Sequence, residues 1–304
     1  MPFAISSNAS LAINAETVWG TPLTTGAKFL RVTGFNNKPE FSTTQSAEIN
    51  AAHRETADLI RTSQKGSGSI EGEMIFDVYH TLMESVFGSA FSGNDLKLGK
   101  TRRSFTLQEN YSDLTTAFVA YRGCVATSMG LSVAVGQPIR CNFGFVSKAP
   151  TVETASVIGT VGAANTNDVM NPMQHISLVQ QGGASIDGCQ SFEFSIQNEA
   201  PEISSLTTPD LLDILLGRVQ VTGTFSVYKQ ANARYSQVLT GAATTLALSI
   251  GAGTKTYAIT MPNVKIQSID GGASGSNPIM ERFGFTALYN ATDSSIKIVK
   301  GTGL

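Results

Sequence analysis

The hydrophobic pattern changes period along the chain, and the changes mark its elements. From Ile70 onward it alternates. Ile70, Gly72, Met74 and Phe76 fall on one face, and Glu71, Glu73 and Asp77 on the other. This is the period of a half-buried strand. Between Tyr79 and Phe87 the spacing becomes helical, through Leu82, Met83, Val86 and Phe87. Gly88 then offers a left-handed stop, so a short helix is predicted there. Further strands are predicted over 29–33, 105–107, 117–121, 125–135 and 139–146, bounded by Gly, Asn, Asp and Pro. After a stretch rich in Ala, Thr, Gly and Asn the same plan recurs. It has a strand over 190–197, a polar loop to Pro209 and a strand over 219–227. A short helix over 233–240 stops at Gly241, and strands follow over 246–250, 257–261, 264–269 and 279–288.

The recurrence is also written in residues. Pro138-Ile139-Arg140-Cys141-Asn142-Phe143-Gly144-Phe145 returns as Pro278-Ile279-Met280-Glu281-Arg282-Phe283-Gly284-Phe285. The Pro-Ile and Phe-Gly-Phe anchors keep one offset, 278 − 138 = 140 and 283 − 143 = 140. Upstream, Ser69-Ile70-Glu71-Gly72-Glu73 faces Gln220-Val221-Thr222-Gly223-Thr224. A drifting offset with conserved order predicts one module carried twice, with deletions in its surface connections. The expected organisation is an arm over 1–26, a first module over 27–150, a linker over 151–172 and a second module over 173–304. The first module carries a long polar loop at 36–67, which has the length of a binding loop. The second module's loop is richer in Leu, with Leu211, Leu212, Leu215 and Leu216. The arm holds the only tryptophan, Trp19, which must pack either on its own domain edge or on another subunit.

Composition narrows the function. Only 14% of residues are charged, so much of the surface is expected to be covered by partners. A net charge of −2 disfavours a basic nucleic-acid patch. Three cysteines form no disulfide framework or zinc spacing and read as reduced thiols. No signal peptide and no membrane span are expected. The histidines His53, His80 and His175 are scattered, and His80 reads as a helix-surface residue. Glu71 and Glu73 have no His or Lys beside them and match Thr222 and Thr224 in the second copy, so they read as a solvated face rather than an acid–base pair. No catalytic constellation, metal or cofactor is expected.

Several pieces, in order, resemble the major tail tube proteins of long-tailed bacteriophages. They are Glu16-Thr17-Val18-Trp19-Gly20-Thr21-Pro22, Phe29-Leu30-Arg31-Val32-Thr33-Gly34, Ala57-Asp58-Leu59-Ile60-Arg61-Thr62 and Gly68-Ser69-Ile70-Glu71-Gly72-Glu73. The resemblance implies an all-β fold with short helices, built as two tandem antiparallel β-sandwich or barrel modules, each with one flanking helix. It further implies a non-enzymatic virion protein, assembled in the host cytoplasm, whose rings stack into a hollow tube for DNA. Two modules per chain and six module positions give three chains per ring. Ring stacking is expected through the arm and the long loop, at Trp19, Glu48, Arg54, Asp58 and Arg61. Alternation together with the resemblance puts Glu71, Glu73, Thr222 and Thr224 on the lumen wall. Implied partners are other copies of the chain, the tape measure, terminator and distal tail proteins, and DNA in non-specific transit, with no membrane. A hub or terminator subunit, or a non-phage β-sandwich binding module, are the alternatives.

Overall fold

A computed structural model describes residues 3–48, 55, 56, 58–272 and 277–301. The fold is all-β with short helices. The first half contains β1 (Ala9–Ala15), β2 (Lys28–Leu30), β3 (Gly34–Gln45), β4 (Leu59–Glu73), α1 (His80–Phe87), β5 (Asp95–Lys97), β6 (Phe105–Tyr111), β7 (Phe118–Ala134), β8 (Arg140–Ser147) and β9 (Thr151–Glu153). The second half contains α2 (Pro172–His175), β10 (Ile176–Gln181), β11 (Ala184–Ser185), β12 (Cys189–Asn198), β13 (Glu202–Ser205), β14 (Thr208–Ile214), β15 (Val219–Tyr228), α3 (Ala233–Thr240), β16 (Ala243–Ala252), β17 (Lys255–Gly271), β18 (Met280–Ala287) and β19 (Lys297–Lys300).

The pairings run in parallel through the two halves. β3 pairs β4, β4 pairs β8, and β8 pairs β7. Likewise β12 pairs β15, β15 pairs β18, and β18 pairs β17. β1–β6–β7 answers to β10–β16–β17. The register slips at matching places, between Ala126 and Ser128 in β7 and between Ile266 and Ser268 in β17. These bulges account for Phe-Gly-Phe. A Cβ on Gly144 would lie 2.6 Å from Ser128 Oγ, and one on Gly284 would collide with Ser268 Oγ. Only glycine lets the bulge serine come this close. The phenylalanines on either side are buried, and Phe225 stacks on Phe283 with ring centroids 5.1 Å apart.

β7 also pairs with β12, Ser128 facing Gln197 and Ala134 facing Ser191. This fuses the two halves into one antiparallel sheet in the order β3-β4-β8-β7-β12-β15-β18-β17. A small second joint sits nearby, where β19 pairs β5.

Several expectations change. Most of the 36–67 segment is not a loop. It is one long hairpin of β3 and β4, and its outer part is exposed on both faces, which hides the period-2 signal. The 1–26 arm includes β1, a core strand whose Leu11 and Ile13 are buried. The 151–172 segment is fastened down rather than spanning freely. Ile158 is buried, Arg31 donates to the Asn165 and Asn167 carbonyls, and Met170 N–H donates to Met74 O at 2.9 Å. That last bond, with Met74 N–H to Ile139 O at 2.7 Å, ends the alternation at Glu73 and buries both Met74 and Ile75. The two helices stop where their glycines put them, Gly88 at φ 60° and Gly241 at φ 63°.

Two core-face glycines give a direct test. A Cβ on Gly72 would strike the Tyr79 hydroxyl, which donates to Arg31 O; one on Gly223 would strike Glu193 O and the Phe285 ring. Gly72→Ala and Gly223→Ala are each expected to cost about 1–3 kcal/mol. Gly34→Ala, where no atom lies within 4 Å, should stay within about 0.5 kcal/mol of wild type in urea denaturation.

Candidate functional site

The fused sheet has one apolar and one polar face. Met129, Leu131, Cys141, Phe143, Phe192, Phe194, Val221 and Phe225 are buried on the core side. With period 2, their neighbours must emerge on the other. They line an open trough of about 800 Å³ that runs across both halves. Glu71 and Glu73 come from β4, Arg140 and Asn142 from β8, Ser128 and Ser132 from β7. Glu193 and Ser195 come from β12, Thr222 and Thr224 from β15, and Arg282 from β18. All four residues read as one polar face are thus brought together, Glu71 exposed and the other three half-buried.

Three carboxylates face two guanidiniums in the trough. Arg282 donates to Thr224 Oγ1 at 3.1 Å and lies 3.9 Å from Glu193, which also accepts from Ser132 Oγ at 3.2 Å. Gly130 leaves room for the Asn142 amide, which a Cβ there would strike. The surface is hydrophilic, near charge balance and open to bulk water. Arg140, Asn142, Glu193 and Arg282 were not anticipated, although alternation from the buried Cys141, Phe143 and Phe283 assigns three of them to this face.

A family model described as phage tail tube protein matches residues 6–287. The chain belongs to the phage tail tube protein family. No curated protein matches it. Membership makes it a structural protein of the virion tail. None of its described helices is long and apolar enough to cross a membrane.

The residues expected to stack tail-tube rings are scattered. Trp19 folds onto its own chain. Its Nε1 donates to Gly123 O at 3.0 Å, and Lys148 Nζ sits 4.4 Å from the ring centroid. Glu16 completes the clasp, accepting from Gly123 N–H and Thr106 Oγ1. Gly123, at φ 64°, has no room for a side chain under the indole. Glu48, Asp58 and Arg61 lie exposed toward the connecting end of the β3–β4 hairpin, Arg61 over the Phe41 ring at 4.3 Å. Arg54 lies outside the described residues.

His80 is not on the surface. It is buried where the two halves meet, with Nδ1 2.8 Å from Asp77 Oδ1 and Nε2 2.8 Å from Tyr257 Oη. Tyr257 Oη also accepts from Asp77 N–H at 3.0 Å, which closes a ring of hydrogen bonds and holds Asp77 at φ 70°. A neutral imidazole fits this ring, donating from Nδ1 and accepting from the tyrosine at Nε2. Burial lowers the His80 pKa to about 4; Asp77 opposes the shift, while Lys300 and Lys28 reinforce it.

A lowered histidine pKa means that the unfolded chain binds the proton first. Stability should therefore be intact above about pH 6.5 and fall by roughly 3 kcal/mol on the way down to pH 4. The His80 ring is expected to titrate near 4 by NMR, and a midpoint near 6.5 would contradict this environment. Tyr257→Phe leaves His80 Nε2 and Asp77 N–H unpaired and should cost about 1–3 kcal/mol in thermal or urea unfolding.

Proposed function

We propose that the chain is two tandem tail-tube modules, that three chains close a ring, and that stacked rings form the tail tube with the trough facing its lumen. The observation that carries this is the continuous eight-strand sheet, polar on one face across both halves. Strands spaced about 4.8 Å and tilted about 40° set the width of a closed barrel. Eight strands from one chain leave no channel. Sixteen from two chains leave roughly 20 Å between facing side chains, and twenty-four from three leave roughly 35 Å. Only the last gives a hydrated duplex clearance.

The wall chemistry suits passage. Duplex DNA carries about one negative charge per 1.7 Å, and a basic wall would hold it by counterion release. Carboxylates, hydroxyls and amides with two arginines among them offer no such grip. Ring stacking falls to the outer β3–β4 hairpin. Phe41, Leu59 and Ile60 are exposed there, whereas on the corresponding β13–β14 hairpin Leu211 and Ile214 are buried against Val125 of the first half. The partners of this reading are further copies of the chain, the tape measure, terminator and distal tail proteins, and DNA in transit. Assembly takes place in the host bacterial cytoplasm.

A Glu71→Lys, Glu73→Lys double variant should assemble normally in negative-stain images yet slow DNA release from the virion, most strongly at low salt. Unchanged release kinetics would remove the pair from the lumen. Replacing residues 44–60 by an Asn-Gly turn joins Thr43 and Arg61, which already face each other across the hairpin. This variant should stay folded by circular dichroism and fail to polymerise; tubes of normal length would refute the stacking assignment.

A further inference from the structure

The joint that fuses the two halves is present once in each chain as a filled contact and once as its two unfilled sides. In the filled joint the edge of β7 takes the edge of β12, Gly130 facing Ser195. The register inside each half identifies the corresponding residues. Ser195 faces Thr222 as Gly34 faces Glu71, so Gly34 stands where Ser195 does. Met129 faces Phe143 as Ile269 faces Phe283, so Asp270 stands where Gly130 does. Beyond β4, β3 has no pairing strand among the described residues, and from Ile266 to Gly271 β17 has none beyond β18. These edges end the sheet on opposite sides.

The helices repeat the pattern. α1 is covered, with Leu82, Met83, Val86 and Phe87 buried, and Asn198 at the end of β12 donates from Nδ2 to Val86 O at 2.6 Å, capping its last turn. α3 has no buried residue; Tyr235 and Leu239 are 47% and 73% exposed. Both helices end at a left-handed glycine, so Leu239 corresponds to Val86, and its carbonyl has no side-chain cap among the described residues. Asn37 corresponds to Asn198, since Asn37 faces Gly68 as Asn198 faces Val219. One Asn37 N–H is given to Glu109 Oε1 at 2.8 Å, and the other is left for a second acceptor.

We infer that a second copy of this chain seats its β3 edge on β17, Gly34 opposite Asp270, and that its Asn37 caps α3 at Leu239. The inference rests on the ring reading and adds the interface, its register and its cap. The copy-to-copy joint is the barer of the two. Ala117 and Ala233 stand where Tyr257 and His80 do, and only two residues separate α3 from β16, so nothing there corresponds to β5. Rings should therefore come apart into folded single chains before the chains unfold.

The test is disulfide trapping in the full chain. Gly34→Cys with Asp270→Cys is expected to give covalent species up to three chains and no further. The shifted pair Asn36→Cys with Asp270→Cys should give at most a tenth of that yield. No crosslink within one chain competes, because the two edges are at opposite ends of the sheet. Rings or tubes that trap only in the shifted register, or in neither, overturn the joint while leaving the tube reading standing. Wild-type protein that forms no rings or tubes under the electron microscope overturns the tube reading, and this inference with it. As a second arm, Leu239→Glu, at an exposed site, should keep the wild-type melting temperature and abolish rings; normal rings from it would refute the role of α3.

Discussion

Everything in this molecule depends on the pairing of β7 with β12. Seven register pairs, from Ser191 with Ala134 to Gln197 with Ser128, turn two half-sheets into one. Because side chains alternate, a slip of one residue at this joint would turn Phe192, Phe194 and Ile196 into the trough and Glu193 and Ser195 into the core. The apolar strip of β12 therefore fixes the register, and the register aligns the polar face of both halves. The joint is braced twice at its periphery. β19 pairs β5, with Lys297 and Lys97 both reaching Asp293, and the Asp77–His80–Tyr257 ring closes beside it. Those braces hold the two halves of the trough as a single surface.

Against that rigid frame the two hairpins diverge. β3 and β4 stay paired over twelve register positions and project beyond the sheet. The second hairpin is broken at Pro201 and Gly217 into a separate β13–β14 piece, which turns back over the first half. Leu211 and Ile214 are buried there beside Val125 and Trp19, Gln64 donates to Asp210 at 2.6 Å, and Arg102 pairs with Asp213. The leucines that distinguish the second loop in the sequence are explained in part by this docking, since Leu211 is its buried anchor while Leu212 and Leu215 remain exposed. One hairpin is spent on holding the chain together, and the other stays available.

Much of this was legible because strand and helix leave different periods. Both flanking helices lie within a residue of their predicted bounds, since a left-handed glycine ends each. The polar face was legible at Glu71, Glu73, Thr222 and Thr224 because their buried neighbours are strongly apolar. Two strands were each read as two. In β7 the break is read between Tyr121 and Val125, and in β17 at Pro262 and Asn263, but Gly123 serves the Trp19 clasp and Pro262 falls at a bulge that requires no ladder N–H. The outer β3–β4 hairpin was invisible because water bathes both faces and no alternation is imposed. His80 and the 151–172 segment were misread for another reason. Both depend on partners more than eighty positions away, Tyr257 for His80 and Phe76 for Asn167, and local pattern carries no trace of these.

Carrying two half-sheets of like pairing on one chain changes the edge problem of a β protein. Two separate half-sheets would expose four pairing edges, each a template for the wrong partner. Joining β7 to β12 within the chain removes two of them and makes that contact effectively unimolecular. The remaining edges are short. On β3 the free edge runs into Lys38-Pro39-Glu40, where proline lacks a donor and the charges beside it resist burial, so only the stretch near Gly34 offers a regular ladder. On β17 the free edge runs only from Ile266 to Gly271 and carries the exposed Asp270. In the proposed ring, edges this brief would hold a partner weakly alone and firmly once a helix face and ring closure add their contacts. Such a chain would commit to assembly there only when several contacts can form together.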